Sequence, residues 1–460
     1  MTRQSFRHER VVATTMPVAV AMVEGGVIGV LAKKAFGVGD LAFATILAAP
    51  MFANITSFFW ARLARGRRKV PFLTGLAAAL MLAIASVALL PRPAEGTDAG
   101  VEQWLLVGLV VLCRCLLAGI TTIRSSVWRH NYPRQVRSTV TGRLIIAMSV
   151  LLGVAPTLGY LVLDWRVEAF RVLYPATAAV GLIGAVAFSR VRLRRERELL
   201  AYERSLGATP TKHGGRGGVY EYDEDDADAG PAANVFSVLK RDALFRRYMT
   251  AQFLSGVGNM MTEVALITLV IRLTEGQRLE YTASIIFTVA VPMLMTVACL
   301  PLWSRYLDRV HIAEYRTRHG LTWLCAMTGY WALGYLVVAH GWSLWVLLLP
   351  RVVHGVGRAG GMIAWQLGHN DFADRRLVAT YMGIHVTLTG VRGAIGPYLA
   401  IALLDGWTRR AVLGVELPAW DGIGVHIFGL TLAITLVGYT LFVLLHRTIN
   451  AAPSAAAVAD

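Results

Sequence analysis

Charge is scarce in this sequence. Only 16% of its 460 residues are Asp, Glu, Lys or Arg, against 55% hydrophobic ones, and mean hydropathy is +0.53. That balance excludes a disordered chain and an ordinary soluble domain, and it fits a protein that lives in a bilayer. Acidic residues are the scarcer sign, 29 against 45 basic ones. A net charge of +16 can mark a nucleic-acid binder. Here no recognition helix, zinc finger or aromatic RNA-binding pattern accompanies the arginines, so nucleic acid is excluded as a partner. The four cysteines (Cys113, Cys115, Cys299, Cys325) all sit inside apolar runs. They lack ligand spacing, which leaves no disulfide framework and no metal centre. A G-x-x-x-x-G-K loop is missing as well, so the chain has no nucleotide cradle and no cofactor is expected.

What is present is a series of apolar runs. Twelve are long enough to cross a hydrocarbon core of about 30 Å. They lie near 11–33, 40–62, 70–91, 103–124, 138–163, 170–189, 248–271, 281–303, 319–339, 342–363, 379–404 and 424–446. The first is too long for a cleaved leader and is followed by Lys33-Lys34. Leaving the central stretch aside, loops on the side of the termini hold 20 Lys and Arg, and the opposite loops hold 9. The positive-inside rule then places both termini in the cytoplasm and the chain in a cell's inner (cytoplasmic) membrane. The central stretch, 191–245, opens basic (Arg192, Arg194, Arg195, Arg197) and reads as a helix to Leu206. It passes through Gly-rich 214–218 and an acidic, solvated patch at Glu221 to Asp228, then an amphipathic surface helix from Val235 to Tyr248. It separates a six-span unit at 1–190 from a second at 246–448, and the tail at 449–460 reads as disordered.

One pattern is written twice. Arg114 and Trp128 keep the 14-residue spacing of Arg351 and Trp365, and His130-Asn131 answers His369-Asn370. Gly142, Pro156 and Asp164 stand 241 positions before Gly383, Pro397 and Asp405. Unlike residue types recurring in one order half a chain apart indicate two homologous halves, a signature of transporters.

Six plus six spans around a long cytoplasmic loop resemble the major facilitator superfamily of secondary transporters, over nearly the whole chain. The loop Trp60-Ala-Arg-Leu-Ala-Arg-Gly-Arg-Arg-Lys69 is similar to the family's G-x-L-x-D-R-x-G-R-R, without its aspartate. The second copy, Trp303 to Arg309, has the Asp-Arg and lacks the Gly-Arg-Arg. Arg351 and Gly355 match the fourth-span R-x-x-x-G, which Arg114 and Gly119 meet loosely. Gly390, Gly393, Gly396 and Pro397 look like the Gly-Pro-rich fifth-span motif, with a thinner version at Gly153, Pro156 and Gly159. The resemblance implies an all-α membrane fold of 12 transmembrane helices in two pseudo-twofold-related six-helix bundles. It also implies a cytoplasmic gate built from Arg62, Gly66 and Arg67 in one copy and Arg305, Asp308 and Arg309 in the other.

An ionised side chain at mid-bilayer costs roughly 2.5–3.5 kcal/mol on insertion scales, so intramembrane charges are candidates for function. Glu24, Arg114, Glu263 and Arg351 fall on the first, fourth, seventh and tenth spans, as two pairs of repeat mates. The resemblance makes those helices line the central path. Helical stripes add Asn259 beside Glu263, Arg358 beside Arg351, and Arg392 beside His385. The repeat mate of Arg392 is Leu151, so duplication does not explain that arginine. Asn54 follows Pro50 by one turn. These groups read as the path of a monomeric, alternating-access carrier in the lipid bilayer, with a glutamate coupling protons to a small-molecule substrate. The bland alternative makes the Glu–Arg pairs static locks. Four intramembrane arginines against two glutamates favour an anionic solute. His354 and His385 read as packed or bridging residues, and Trp128 and Trp365 as interface anchors. Two other classes stay open, a channel or non-transporting scaffold and a membrane acyltransferase using His369 and Asp374. The repeat mate of that last motif has Gln135 in place of the aspartate.

Overall fold

A computed structural model of the chain describes residues 2–92, 100–205, 235–274, 283, 286–373, 377–407, 410–412 and 415–451. The Gly-rich and acidic stretches of the linker, Asp374 to Arg376 and the tail past Ala451 lie outside the described residues.

Among the described residues, nine helices are long and apolar enough to cross a membrane. The first six rods are Gln4–Gly29, an interrupted Asp40–Ile55 plus Ser57–Leu63, Lys69–Ser86, Val101–Asn131, Arg134–Trp165 and Phe170–Ser189. The second six are Ala243–Thr274, Val291–Arg309, Ile312–His340, Leu348–Leu367, Val378–Asp405 and Ile427–Ala451. The second, eighth and tenth spans fall outside the nine by a break at Thr56 or by their arginines, yet they pack as full members of the bundles. A two-stranded hairpin, Arg410–Val412 against Val415–Leu417, joins the last two spans.

The pairings repeat. First packs on sixth as seventh does on twelfth, and third on sixth as ninth on twelfth. Third on fourth, second on fourth and first on fifth each have a counterpart six spans later. Between the halves, second meets eleventh and fifth meets eighth, which exchange under the same six-span shift. That closed set of equivalences is what a pseudo-twofold axis produces. Outward faces carry exposed aliphatic side chains such as Leu82, Leu161, Leu294 and Leu302, as a lipid-facing surface requires.

Two features depart from the sequence-based expectation. The rods extend further toward the face where the termini and linker emerge, here the terminal face, so several arginines assigned to loops lie inside helices. Arg124, Arg137 and Arg316 are buried there. Halves also meet on this face in a shared apolar core that joins Trp128 and Tyr132 to Phe245, Tyr248, Tyr315 and Phe442. The first span, secondly, is not continuous. It runs helical to Val20, turns tightly over Ala21–Val23, and passes through Glu24 in an extended conformation (φ −124°, ψ 138°) before Gly25–Val30. Gly25-Gly26 lowers the helix preference at that point. Its mate, the seventh span, is unbroken.

Candidate solute site

The four intramembrane charges singled out from sequence form one pair in each half. In the first half Arg114 Nη1 donates to Glu24 Oε1 at 3.0 Å, and Nη2 donates to the Val23 carbonyl at 2.6 Å. The guanidinium thus braces the broken segment. Arg114 is buried, but Glu24 is 44% exposed. In the second half the grip is two-pronged, Arg351 Nη1 on Glu263 Oε2 at 2.6 Å and Nη2 on Oε1 at 2.8 Å. A further bond, Nε to the Phe287 carbonyl at 2.6 Å, fixes the fork. Glu263 is 27% exposed and Arg351 only 1%. His354 bridges this network as expected. Its Nδ1 lies 3.1 Å from the Tyr330 hydroxyl and 3.3 Å from Arg351 Nη1, and its Nε2 lies 3.2 Å from Asn259 Oδ1.

Beside the second pair, toward the terminal face, lies a cavity of about 370 Å³ among the seventh, ninth, tenth, eleventh and twelfth spans. Arg316, Arg358 and Arg392 line it together with His319, Trp323 and Trp365, and no carboxylate does among the described residues. Arg358 Nη1 is 3.9 Å from Glu263 Oε1, which links the cavity to the pair. Arg392 Nη1 donates to the Gln252 carbonyl at 2.8 Å. Space for that guanidinium exists because residue 256 is glycine; a Cβ there would lie 1.9 Å from Nη1.

The terminal face is latched across the halves. Asp308, at the end of the eighth span, accepts from the Ser138 and Thr139 amides at 2.7 and 2.9 Å and from the Thr139 hydroxyl at 2.6 Å. Arg134 reaches Asp371 at 3.4 Å. The first-half loop expected at the gate meets the linker instead. Gly66, at φ +67°, turns its amide onto Glu203 of the linker helix Glu196–Ser205 at 2.7 Å, and Lys69 Nζ meets the same carboxylate at 2.5 Å. Arg62, Arg67, Arg305 and Arg309 are exposed. Hydrogen bonds to a charged acceptor contribute roughly 1.5–3 kcal/mol each. Asp308→Ala should therefore speed amide exchange at the start of the fifth span by at least about tenfold. An unchanged exchange rate at Ser138 and Thr139 would show that Asp308 holds nothing shut.

Of the residues singled out from sequence, Asn259, Arg358 and Arg392 line the cavity. Glu263 and Arg351 stand directly behind it, while Glu24 and Arg114 do not border it. The expected convergence of charges from both halves on one route is thus not found at this cavity, whose only first-half wall residue among those described is Ile145. Asn54 is half-buried near the break in the second span and stays clear of the cavity. His385 is buried against Trp365 and His369. Neither tryptophan is an interface anchor. Trp128 is buried with its Nε1 on the carboxylate of Glu9, and Trp365 walls the cavity with its Nε1 3.1 Å from Thr389 Oγ1. Arg316 was missed because it preceded the assigned ninth span. The stripe Arg316, His319, Gly320, Trp323 advances by one helical face and was the available signal. His369 offers no general base: it is wholly buried, and burial, then the Arg129 and Arg137 guanidiniums, hold its imidazole down at about 3. Its proposed partner Asp374 lies outside the described residues.

Two matched six-span bundles, joined through the second, fifth, eighth and eleventh rods, with a charged cavity among the spans of the second, are the architecture of a transmembrane transporter. The chain belongs to the Major Facilitator Superfamily, whose family model matches residues 14–397. Among solved structures, the human organic anion transporter MFSD10 (TETRAN) aligns with a TM-score of 0.61 at 13% identity, over 96% of this chain and 99% of that one. That likeness is one of fold. No curated protein matches the sequence.

Proposed function

We infer that the protein moves a small organic anion across the membrane by alternating access, coupled to protons at Glu24. One observation carries the reading: a cavity whose wall holds three arginines and no carboxylate among the described residues. Guanidinium forks match carboxylate, sulfonate and phosphate groups, and a cation would enter this cavity uncompensated. MFSD10, of the same fold, is itself an organic anion transporter.

The two glutamates divide the work unequally in this reading. Glu263 is held by two bonds from Arg351, with Arg358 close by, which suits a fixed lock. Among the described residues Glu24 has one ion-pair partner, Arg114; it is half open to solvent and sits where the first span is interrupted. Interrupted helices at the centre of a bundle are where carriers place coupling ions. The arginine-rich terminal face is taken as cytoplasmic and the carrier as a monomer in a cell's inner membrane.

In proteoliposomes, an imposed pH gradient is expected to drive accumulation of benzenesulfonate and not of benzyltrimethylammonium. Glu24→Gln should abolish that accumulation while leaving benzenesulfonate exchange measurable. Accumulation of the cation in place of the anion would discard the reading. Full coupling in Glu24→Gln would move the proton site elsewhere.

A further inference from the structure

Taking the cavity as the solute site, as just proposed, the geometry points to a solute of defined class: a small aromatic dianion, one flat ring bearing two negative charges. The charge count comes from Arg316 and Arg392. They are 5% and 7% exposed, on the ninth and eleventh spans, and neither is within salt-bridge distance of a carboxylate among the described residues. Glu263, the acid beside this cavity, is already gripped by Arg351. Among the described residues, Arg316 Nε and Nη2 and Arg392 Nε are buried without a hydrogen-bond partner. The Nε–Nη2 side of a guanidinium is the edge that takes both oxygens of an acid group. A single negative charge would satisfy one arginine and leave the other buried and unpaired, which proteins avoid. Two acid groups on one solute, or one doubly charged group, satisfy both.

The flat ring comes from the aromatic side chains that share the cavity with these arginines. Trp323 and Trp365 line the cavity; Trp365 donates its indole N–H to Thr389 Oγ1 at 3.1 Å, and Trp323 Nε1 stands 3.2 Å from His319 Nε2, which itself donates to the Gly357 carbonyl at 2.7 Å. Both indoles add aromatic ring surface to the wall, joined by Tyr439 and Phe442. The size limit follows from volume. A cavity of about 370 Å³ is near the lower end of the roughly 300–1,000 Å³ typical of ligand pockets, enough for one substituted ring and too small for a lipid.

Calorimetry on the purified full chain at neutral pH, with phthalate, benzoate, succinate and benzyltrimethylammonium as probes, tests this. Phthalate is expected to bind about tenfold or more tightly than either benzoate or succinate. Arg316→Gln should shrink the phthalate-to-benzoate ratio to about one, and Arg316→Lys, which keeps the charge and loses the fork, should retain part of it. Benzoate as tight as phthalate would overturn the second charge, and succinate as tight would overturn the ring; either result leaves an anion carrier standing. Binding of the cation alone, or of none of the four, would remove the solute site and this inference together.

Discussion

Arg351→Gln is expected to cost about 3–5 kcal/mol of stability, the range for breaking a buried ion pair from one side. The loss is large because three bonds go at once. Both Glu263 oxygens lose their donor, and the Phe287 carbonyl loses the Nε contact that ties the tenth span to the start of the eighth. Thermal unfolding in detergent reads the effect directly. The double variant Glu263→Gln, Arg351→Gln should recover a good part of the loss, because it removes the stranded carboxylate. Arg114→Gln makes the contrast. Its partner Glu24 is 44% exposed and can turn to water, so the cost should stay under about 2 kcal/mol. Equal losses at the two arginines would mean that the halves are as alike in their locks as in their sequence repeat, and Glu24 would forfeit its special standing.

The second large effect concerns a residue with no side chain. Gly256→Ala is expected to lower benzenesulfonate transport by at least about tenfold, matching Arg392→Gln, since loss of one charge-assisted contact amounts to roughly 1.5–3 kcal/mol. The added Cβ would fall 1.9 Å from Nη1 and 2.3 Å from Cζ of Arg392, so the guanidinium must leave its place. Gly361→Ala puts a methyl into the same cavity 3.4 Å from the Trp323 ring, an ordinary contact, and should change transport less than about threefold. Uptake per folded protein in liposomes separates the three variants. If both glycine variants were equally impaired, volume and not Arg392 would be what the site needs.

The spans and both Glu–Arg pairs were legible because the bilayer leaves few alternatives. Long apolar runs must cross it, and a charge such as Arg114 or Arg351 must find an opposite charge on a neighbouring rod. Duplication did the rest, since Glu24 and Glu263 identify each other. Helix ends were harder. At the bilayer boundary an arginine reads as a loop charge, so Arg316 and the fully buried Glu9, which meets Arg124, Trp128 and Tyr132, gave no hint of burial. Divergence between the copies was also silent. Nothing in the repeat distinguished a first span interrupted at Glu24 from a continuous seventh, beyond two glycines. The cavity itself depends on which residues five separate rods bring together, and periodicity along one rod cannot report that.

The mixed aromatic core on the terminal face constrains how the carrier can turn over. Wetting one ring of roughly 200 Å² costs about 5 kcal/mol at 25 cal/mol per Å². Simple parting of Trp128 and Tyr132 from the rings of the second half would wet several at once. Under the alternating-access reading proposed above, the oil seal must therefore slip and not tear, each ring trading one greasy neighbour for another. Enlarging or shrinking a ring in that seam should change how fast the carrier cycles while leaving unaltered which solute it accepts.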